Sequence, residues 1–366
     1  MNSTGLAASA PVPAPGPAPG PAAAPALPRG DRVRAFVRLG RPKFLVQSMM
    51  VVGLGVSMSV HDGHAFRPGW FVLTLAFAWC THLMTHYCNE YFDLEADRAN
   101  AAPTGWTGGS RVLVSGLLRP MVSLSAAFVL LFVSLGLIAV MPTTGTRVMA
   151  AAIAALSWFY TAPPLRLNYH ALGEVACALV LYGLGPLLAC ALQSGSVTGA
   201  DVVYAGVVCA LQFLRMSVMN LADIEGDRRT GKHTLAVALD GPGLVRLYIG
   251  GQFAVGAGML VLAGTGAVPA AGAIAVLATA PVAAWVSRRL LTGALRLPDK
   301  ANAVTFLASM HMPITACAIT LSLLGSALNT DRGVPGGWLA VYGVTLTAFL
   351  VWLTGAVRSN VLRRPA

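Results

Sequence analysis

The 366 residues are 56% hydrophobic and only 11% charged, with a mean hydropathy of +0.68. A soluble domain carries about twice that charge, so the composition excludes one and predicts an all-α polytopic membrane protein. The net charge of +11 then reads first as membrane topology and membrane-lipid contact, with no nucleic-acid partner expected.

Residues 1–28 are a Pro/Ala/Gly tract without periodicity, expected to be a disordered tail. Residues 29–42 mix arginines with apolar residues and predict a basic amphipathic segment on the membrane surface. Apolar runs follow near 43–60, 70–92, 121–140, 147–161, 172–192, 201–222, 243–263, 268–290, 303–327 and 338–357. Most approach the ~20 residues that a crossing helix needs, and the fourth is short. A bundle of nine or ten spans around a central cavity is expected, with residues 43–327 as its main domain. Residues 328–366 add an extra C-terminal span and a basic tail. The six cysteines lie inside apolar runs without metal-knuckle spacing, as small hydrophobes would. With ten spans and the N-terminus inside, only Arg67, Arg147 and Arg332 of the basic residues fall outside, and Arg215 falls within a span. That bias puts the inside loops in the cytoplasm, with a plasma-membrane location expected.

Two stretches concentrate the chemistry. Of fourteen acids, half are Glu90, Asp93, Glu95, Asp97, Asp223, Glu225 and Asp227, at the cytoplasmic ends of spans two and six. At ~100° per residue, His82, His86, Asn89, Asp93 and Asp97 share an arc of about 80°, and Gln212, Met216, Asn220, Asp223 and Asp227 share a similar one. Carboxylates gathered at the mouth of a membrane cavity suit hard cations. Each motif is followed by glycines and a base, Gly108-Gly-Ser-Arg111 and Gly231-Lys232. Acids and bases together would hold a polyanion through Mg2+, which binds through one or two carboxylates plus substrate phosphates. The apolar spans would take a hydrocarbon tail, and diphosphate plus tail describes an isoprenyl diphosphate donor. The repetition at spans two and six suggests two four-helix units related by an internal repeat.

The motifs Asn89-Glu-Tyr-Phe-Asp93-Leu-Glu-Ala-Asp97 and Asp223-Ile-Glu-Gly-Asp227, with Gly231-Lys232-His-Thr-Leu after the second, resemble the paired motifs of the UbiA superfamily of intramembrane prenyltransferases. Arg41-Pro-Lys43 and Tyr160-Thr-Ala-Pro-Pro-Leu-Arg166, with Gly173-Glu174 following, look most like its MenA branch, which prenylates 1,4-dihydroxy-2-naphthoate. The resemblance implies that Asn89, Asp93, Asp97, Asp223 and Asp227 bind Mg2+ bridging the diphosphate. It further implies that Lys43, Arg111 and Lys232 hold diphosphate oxygens, and that Tyr160 and Arg166 lie near the reacting carbon or the acceptor. Asn220 and His86, on the two polar faces, are expected on the substrate side. The acceptor implied is aromatic or a quinone precursor, in menaquinone biosynthesis for the naphthoate. Glu90 and Ala222 depart from the family pattern, and the run at 338–357 exceeds the usual nine spans.

Plainer readings stand beside these. His82 and His86 have the i, i+4 spacing of metal ligands but lack a third, so hydrogen-bonded cavity histidines are expected. Arg215 has either a functional role or a structural partner on a neighbouring helix. Glu90 and Glu95 read as supporting or solvated groups, and Glu174 as a helix-terminal acid or an acceptor contact. Two other functions share the pattern: a UbiA-type terpene cyclase without an acceptor, and a cation-coupled transporter. Transport sites usually lie near the bilayer midplane, whereas these acids sit at one interface.

Overall fold

A computed structural model describes residues 28–100, 103–221, 223–330 and 333–362, apart from the side chains of Arg296, Pro298 and Asp299. The tail expected over residues 1–28 lies outside them save for Pro28, as do Ala222, Arg332 and the last four residues. Of the chain's described residues 80% are helical, and among them there is no strand beyond one isolated bridge between His170 and His233. That is the all-α architecture its hydropathy predicts.

The basic segment is a helix, α1 (Arg29–Leu39), which buries Ala35 and Leu39. A left-handed turn at Arg41 and a short 3-10 turn, Pro42–Phe44, lead into α2 (Leu45–His61). Most of α2 is buried on all sides, as expected of an apolar helix at the centre of a bundle. It packs against α3 (Pro68–Phe92), α8 (Gly185–Ser194) and α14 (Pro298–Leu328). After α3 comes the short α4 (Leu94–Ala99), then α5 (Pro120–Ala139) and α6 (Thr144–Phe159). Thr143 and Thr146 form a reciprocal capping box at the start of α6. The apolar run expected at 172–192 is α7 (Gly173–Ala178) and α8, joined by a π-helical turn at Leu179–Leu184. Pro186 lacks the N–H that a regular helix would use there. The second acidic turn joins α9 (Gly199–Leu221) to α10 (Ile224–Arg229). Next, α11 (Leu235–Gly264) kinks at Asp240, just before Pro242. The apolar run expected at 268–290 breaks into α12 (Ala270–Leu277) and α13 (Ala280–Leu291) at Thr279, where the hydroxyl meets His311 Nε2 at 3.2 Å and Thr315 Oγ1 at 3.0 Å. After α14, α15 (Gly336–Val357) takes up the run expected at 338–357.

Among the described residues, eight helical stretches are long and apolar enough to cross a membrane. The segment expected at 147–161 is the 16-residue α6. The inner half of α3 carries polar residues that face a cavity. Phe128, Phe132, Val344 and Val351 are exposed on α5 and α15, where only lipid accommodates so much apolar surface. The protein is an integral, multi-pass membrane protein. Close backbone approach depends on small residues: a Cβ at Gly251 would stand 2.5 Å from Leu214, and one at Gly272 would collide with the Tyr204 hydroxyl.

α2 and α8 cross closely at Gly55. There a Cβ on Gly55 would overlap the Pro186 carbonyl oxygen and stand 2.6 Å from Ala189 Cβ. Gly55→Val should lower thermal stability in detergent by about 1–3 kcal/mol, whereas Gly343→Ala, with nothing within 4 Å of the new atom, should leave it unchanged. Equal melting temperatures for the two variants would mean that α2 and α8 do not meet at Gly55.

Candidate active site

Helix α3 stops at Asp93 (φ −95, ψ 8), and the chain restarts as α4 one residue later. The break is small. Asp93 N still donates to Asn89 O, and Asp97 N to Asp93 O, both at 2.8 Å. The polar face therefore survives the turn, and His82, His86, Asn89, Asp93 and Asp97 all line one cavity of about 220 Å³. The Asp93 carboxylate is only 3% exposed. It accepts from Asn89 Nδ2 at 2.6 Å, Asn168 Nδ2 at 3.1 Å and Lys232 Nζ at 3.0 Å.

The second acidic turn meets the first. Asn100 Nδ2, at the end of α4, donates to Asp223 Oδ1 at 2.6 Å, and α4 packs on α10. Asp223, Asn220, Met216 and Lys232 line the same cavity. Asp227 does not; it is buried behind Lys232, with Nζ 3.6 Å from its Oδ1 and Thr234 Oγ1 donating to its Oδ2 at 3.4 Å. Lys232 thus lies between a carboxylate of each motif. Asn220 Nδ2 donates to Glu174 Oε1 at 2.7 Å, and Leu235 N donates to the same oxygen at 3.1 Å. Glu174 therefore caps the start of α11, not the helix it sits on.

Three expected residues lie elsewhere. Lys43 is drawn to the Gly105 carbonyl and the face of Trp106, 4.4 Å from the ring centroid. Arg111 donates to the Asp97 backbone carbonyl. Arg166 stacks on the Tyr169 ring at 3.8 Å. None of the three lines the cavity; each long side chain found a nearer carbonyl or ring face. Tyr160 does line it. The histidines follow the plainer reading: His82 Nδ1 meets Ser48 Oγ at 2.8 Å and His86 Nδ1 meets the Gly40 carbonyl at 2.7 Å. A carbonyl only accepts, so the His86 proton resides on Nδ1.

Two residues outweigh their weight in the sequence. Glu90 is buried and accepts from Arg41 Nε at 2.8 Å, Ser110 N at 2.6 Å and Ser110 Oγ at 2.7 Å. It ties the end of α3 to the Arg41 turn and to the Gly108-Gly109 loop, which lines the cavity. Both glycines have φ +75, and a Cβ on Gly109 would overlap the Asp97 carboxylate. Asn168, two residues beyond Arg166, was marked only by its closeness to that motif.

Asp97 and Asp223 make no ion pair within 4 Å among the described residues. Their low-dielectric surroundings push both carboxyls up to about 7, and for Asp223 the charge of Asp227 adds to this. Among the described residues no three His, Cys, Asp or Glu side chains converge as a ready-made metal cage. Mg2+ does not need one, because phosphate oxygens complete its shell. The oxygen-only set Asn89, Asp93, Asp97 and Asp223, two of its carboxylates short of a counter-charge, fits a hard cation.

A profile of the UbiA prenyltransferase family matches residues 48–310. A digeranylgeranylglyceryl phosphate synthase of Korarchaeum cryptofilum is 26% identical over 211 residues, 57% of this chain and 68% of that protein. Its name is not that of the MenA branch which the motifs resemble. A UbiA homologue from Aeropyrum pernix K1 superposes with a TM-score of 0.59 at 17% identity, covering 76% of this chain and 97% of its own. One from Archaeoglobus fulgidus, bound to GPP and Mg2+, gives 0.53 at 13% identity, over 78% of this chain and 99% of its own. The chain belongs to the UbiA prenyltransferase family, and it is a transferase.

Removing one member of a buried ion pair strands the other. Glu90→Gln should therefore destabilise the protein by about 3 kcal/mol and expose the 103–119 loop to protease, read by limited proteolysis and thermal unfolding. A loop cut no faster than in the wild type would remove Glu90 as its anchor.

Proposed function

We propose that this member of the UbiA prenyltransferase family transfers an isoprenyl group from an allylic prenyl diphosphate to an aromatic or quinone-precursor acceptor, using Mg2+. The observation that carries the reading is Lys232 between Asp93 and Asp227, at the mouth of an apolar-walled cavity where both acidic turns meet. The Archaeoglobus relative bound to GPP and Mg2+ supports the donor and the metal.

In this reading Asn89, Asp93, Asp97 and Asp223 hold Mg2+, and Asp227 holds Lys232 in place. When bound, the metal neutralises the diphosphate and stabilises the charge that develops as it leaves. Lys232 donates to the diphosphate oxygens, and the Gly108-Gly109 backbone, pressed against Asp97, offers N–H groups to the same anion. The hydrocarbon lies along Val51, Val52, Phe77 and Leu188, which line the cavity. Heterolysis of the allylic C–O bond leaves a carbocation and diphosphate. Tyr160 presents a π face to that cation. A nucleophilic atom of the acceptor attacks the allylic carbon, and its displaced proton passes to diphosphate or to a carboxylate. Arg111 contributes by fixing the Asp97 carbonyl, and Lys43 and Arg166 by fixing the surrounding loops.

The motif around Tyr160 and Arg166 supports an aromatic acceptor such as 1,4-dihydroxy-2-naphthoate, and with it a place in menaquinone biosynthesis. The name of the Korarchaeum relative favours a second reading, a glyceryl phosphate acceptor. The basic loops support a cytoplasmic mouth in the plasma membrane, and residues 43–327 serve as the prenyltransferase domain with α15 as an addition.

Mass spectrometry of products from purified protein, Mg2+, allylic diphosphates and each acceptor in turn tests the reading. Prenylated naphthoate is expected. A prenylated glyceryl phosphate would select the second acceptor, and a cyclised hydrocarbon formed without acceptor would make the protein a cyclase. Asp93→Asn should lower kcat at least about a hundredfold, and Lys232→Ala should weaken donor binding about tenfold or more; wild-type kinetics in either would sink its assigned role. The sign of the pH effect follows from the raised carboxyls. Groups near 7 still hold protons at neutrality, and Mg2+ must displace them. Apparent Mg2+ affinity should thus fall about tenfold or more between about pH 8 and pH 6, and a flat titration would count against Asp97 and Asp223 as ligands.

A further inference from the structure

Among the described residues, Arg215 is a buried charge that the site does not explain. It sits on α9, eight residues before Asp223, which places it about 12 Å deeper along the helix than the acidic turn. It is 6% exposed and lines the cavity. Its Nη2 donates to Ser309 Oγ at 3.3 Å, and Nη1 lies 3.6 Å from the Met216 sulfur, a weak acceptor. Nε has no partner, and no carboxylate comes within 4 Å among the described residues. A guanidinium cannot shed its proton and carries five donors, so burial leaves it charged and under-satisfied. A second buried donor among the cavity-lining residues, Gln47 Nε2, is also without a partner.

Lys232 offers no explanation, because Asp93 and Asp227 already engage it. The diphosphate does not either, since its ligands gather at the mouth. What the deeper wall lacks is an anionic oxygen ligand, and a guanidinium pairs best with a planar oxyanion through two parallel hydrogen bonds.

We propose that Arg215, assisted by Gln47, binds an anionic carboxylate on the acceptor and so selects acceptors that carry one. The proposal rests on the transferase reading above. One arginine balances one negative charge, so a carboxylate on an otherwise apolar ring suits the site. A phosphate monoester would leave surplus charge against apolar walls. The substrate class is thus a ring-bound carboxylic acid, ionised, with its ring towards the donor and its carboxylate towards α9.

The test uses the full-length protein in detergent, without donor, and two probes: 1-hydroxy-2-naphthoate and its methyl ester. Calorimetry should show the acid binding the wild type roughly tenfold to a hundredfold more tightly than the ester. Arg215→Gln should erase that difference, Arg215→Lys should restore part of it, and affinity for farnesyl thiodiphosphate should stay unchanged in both. Equal wild-type affinity for acid and ester, or no binding of the acid, overturns the proposal without recourse to any variant. So does a preference that survives Arg215→Gln, a parallel loss of farnesyl thiodiphosphate affinity, or glycerol 1-phosphate bound through Arg215 in place of the acid. Arg215-dependent binding of the acid, in a protein that releases no diphosphate with any acceptor, supports the proposal and refutes the transferase reading instead.

Discussion

The contact between Lys232 and the two carboxylates, Asp93 at 3.0 Å and Asp227 at 3.6 Å, is the constraint around which the rest is arranged. Two acidic turns facing each other across a cavity repel, and in low dielectric that repulsion is costly. A lysine between them makes their approach tolerable. Only one carboxylate of each turn is compensated in this way. Asp97 and Asp223 keep their deficit, which makes the mouth receptive to a cation arriving with its own anion.

The scaffold around that contact is built from interrupted helices. α3 and α9 both end just before an acid and resume as a six-residue helix, α4 and α10. A continuous helix would have carried the carboxylates straight on along its axis. The π turn before Pro186 is a further interruption, and Val180, Leu181 and Gly185 there line the cavity. Such turns are common where a helix must widen for a site.

The C-terminal crossing is no loose appendage. Trp338, at the start of α15, is buried and donates to Ser57 Oγ on α2 at 3.0 Å. At its far end Asn360 Oδ1 accepts from Trp106 Nε1 at 3.2 Å and Asn302 Nδ2 at 3.0 Å. Trp106 lines the cavity, so the last helix braces the loop that follows the first acidic turn. Glu90 braces the same loop from the other side. Asn360 and Glu90, neither of which lines the cavity, thereby hold the loop whose Gly109 and Arg111 meet Asp97.

By itself, the sequence determined the helical passes, because hydropathy over some twenty residues depends on local composition alone. Periodicity likewise foretold that Asn89, Asp93, Asp97, Asn220 and Asp223 share a surface, since neighbours along a helix face are fixed by the pitch. It could not tell where long side chains would turn. By resemblance Lys43 and Arg111 read as diphosphate ligands and Arg166 as a residue near the reacting carbon or the acceptor, yet a carbonyl or a ring lay nearer to each. The same limit hid Glu90 and Asn168, whose partners lie on other helices and loops, and left Asp227 facing the cavity when in fact it backs Lys232. That Arg215 lies in a span was legible; that no acid among the described residues comes within 4 Å of it was decided only by tertiary packing, which sets it against Ser309 on α14. Local pattern sets which face a residue occupies, and tertiary contact decides which of those residues are left wanting a partner.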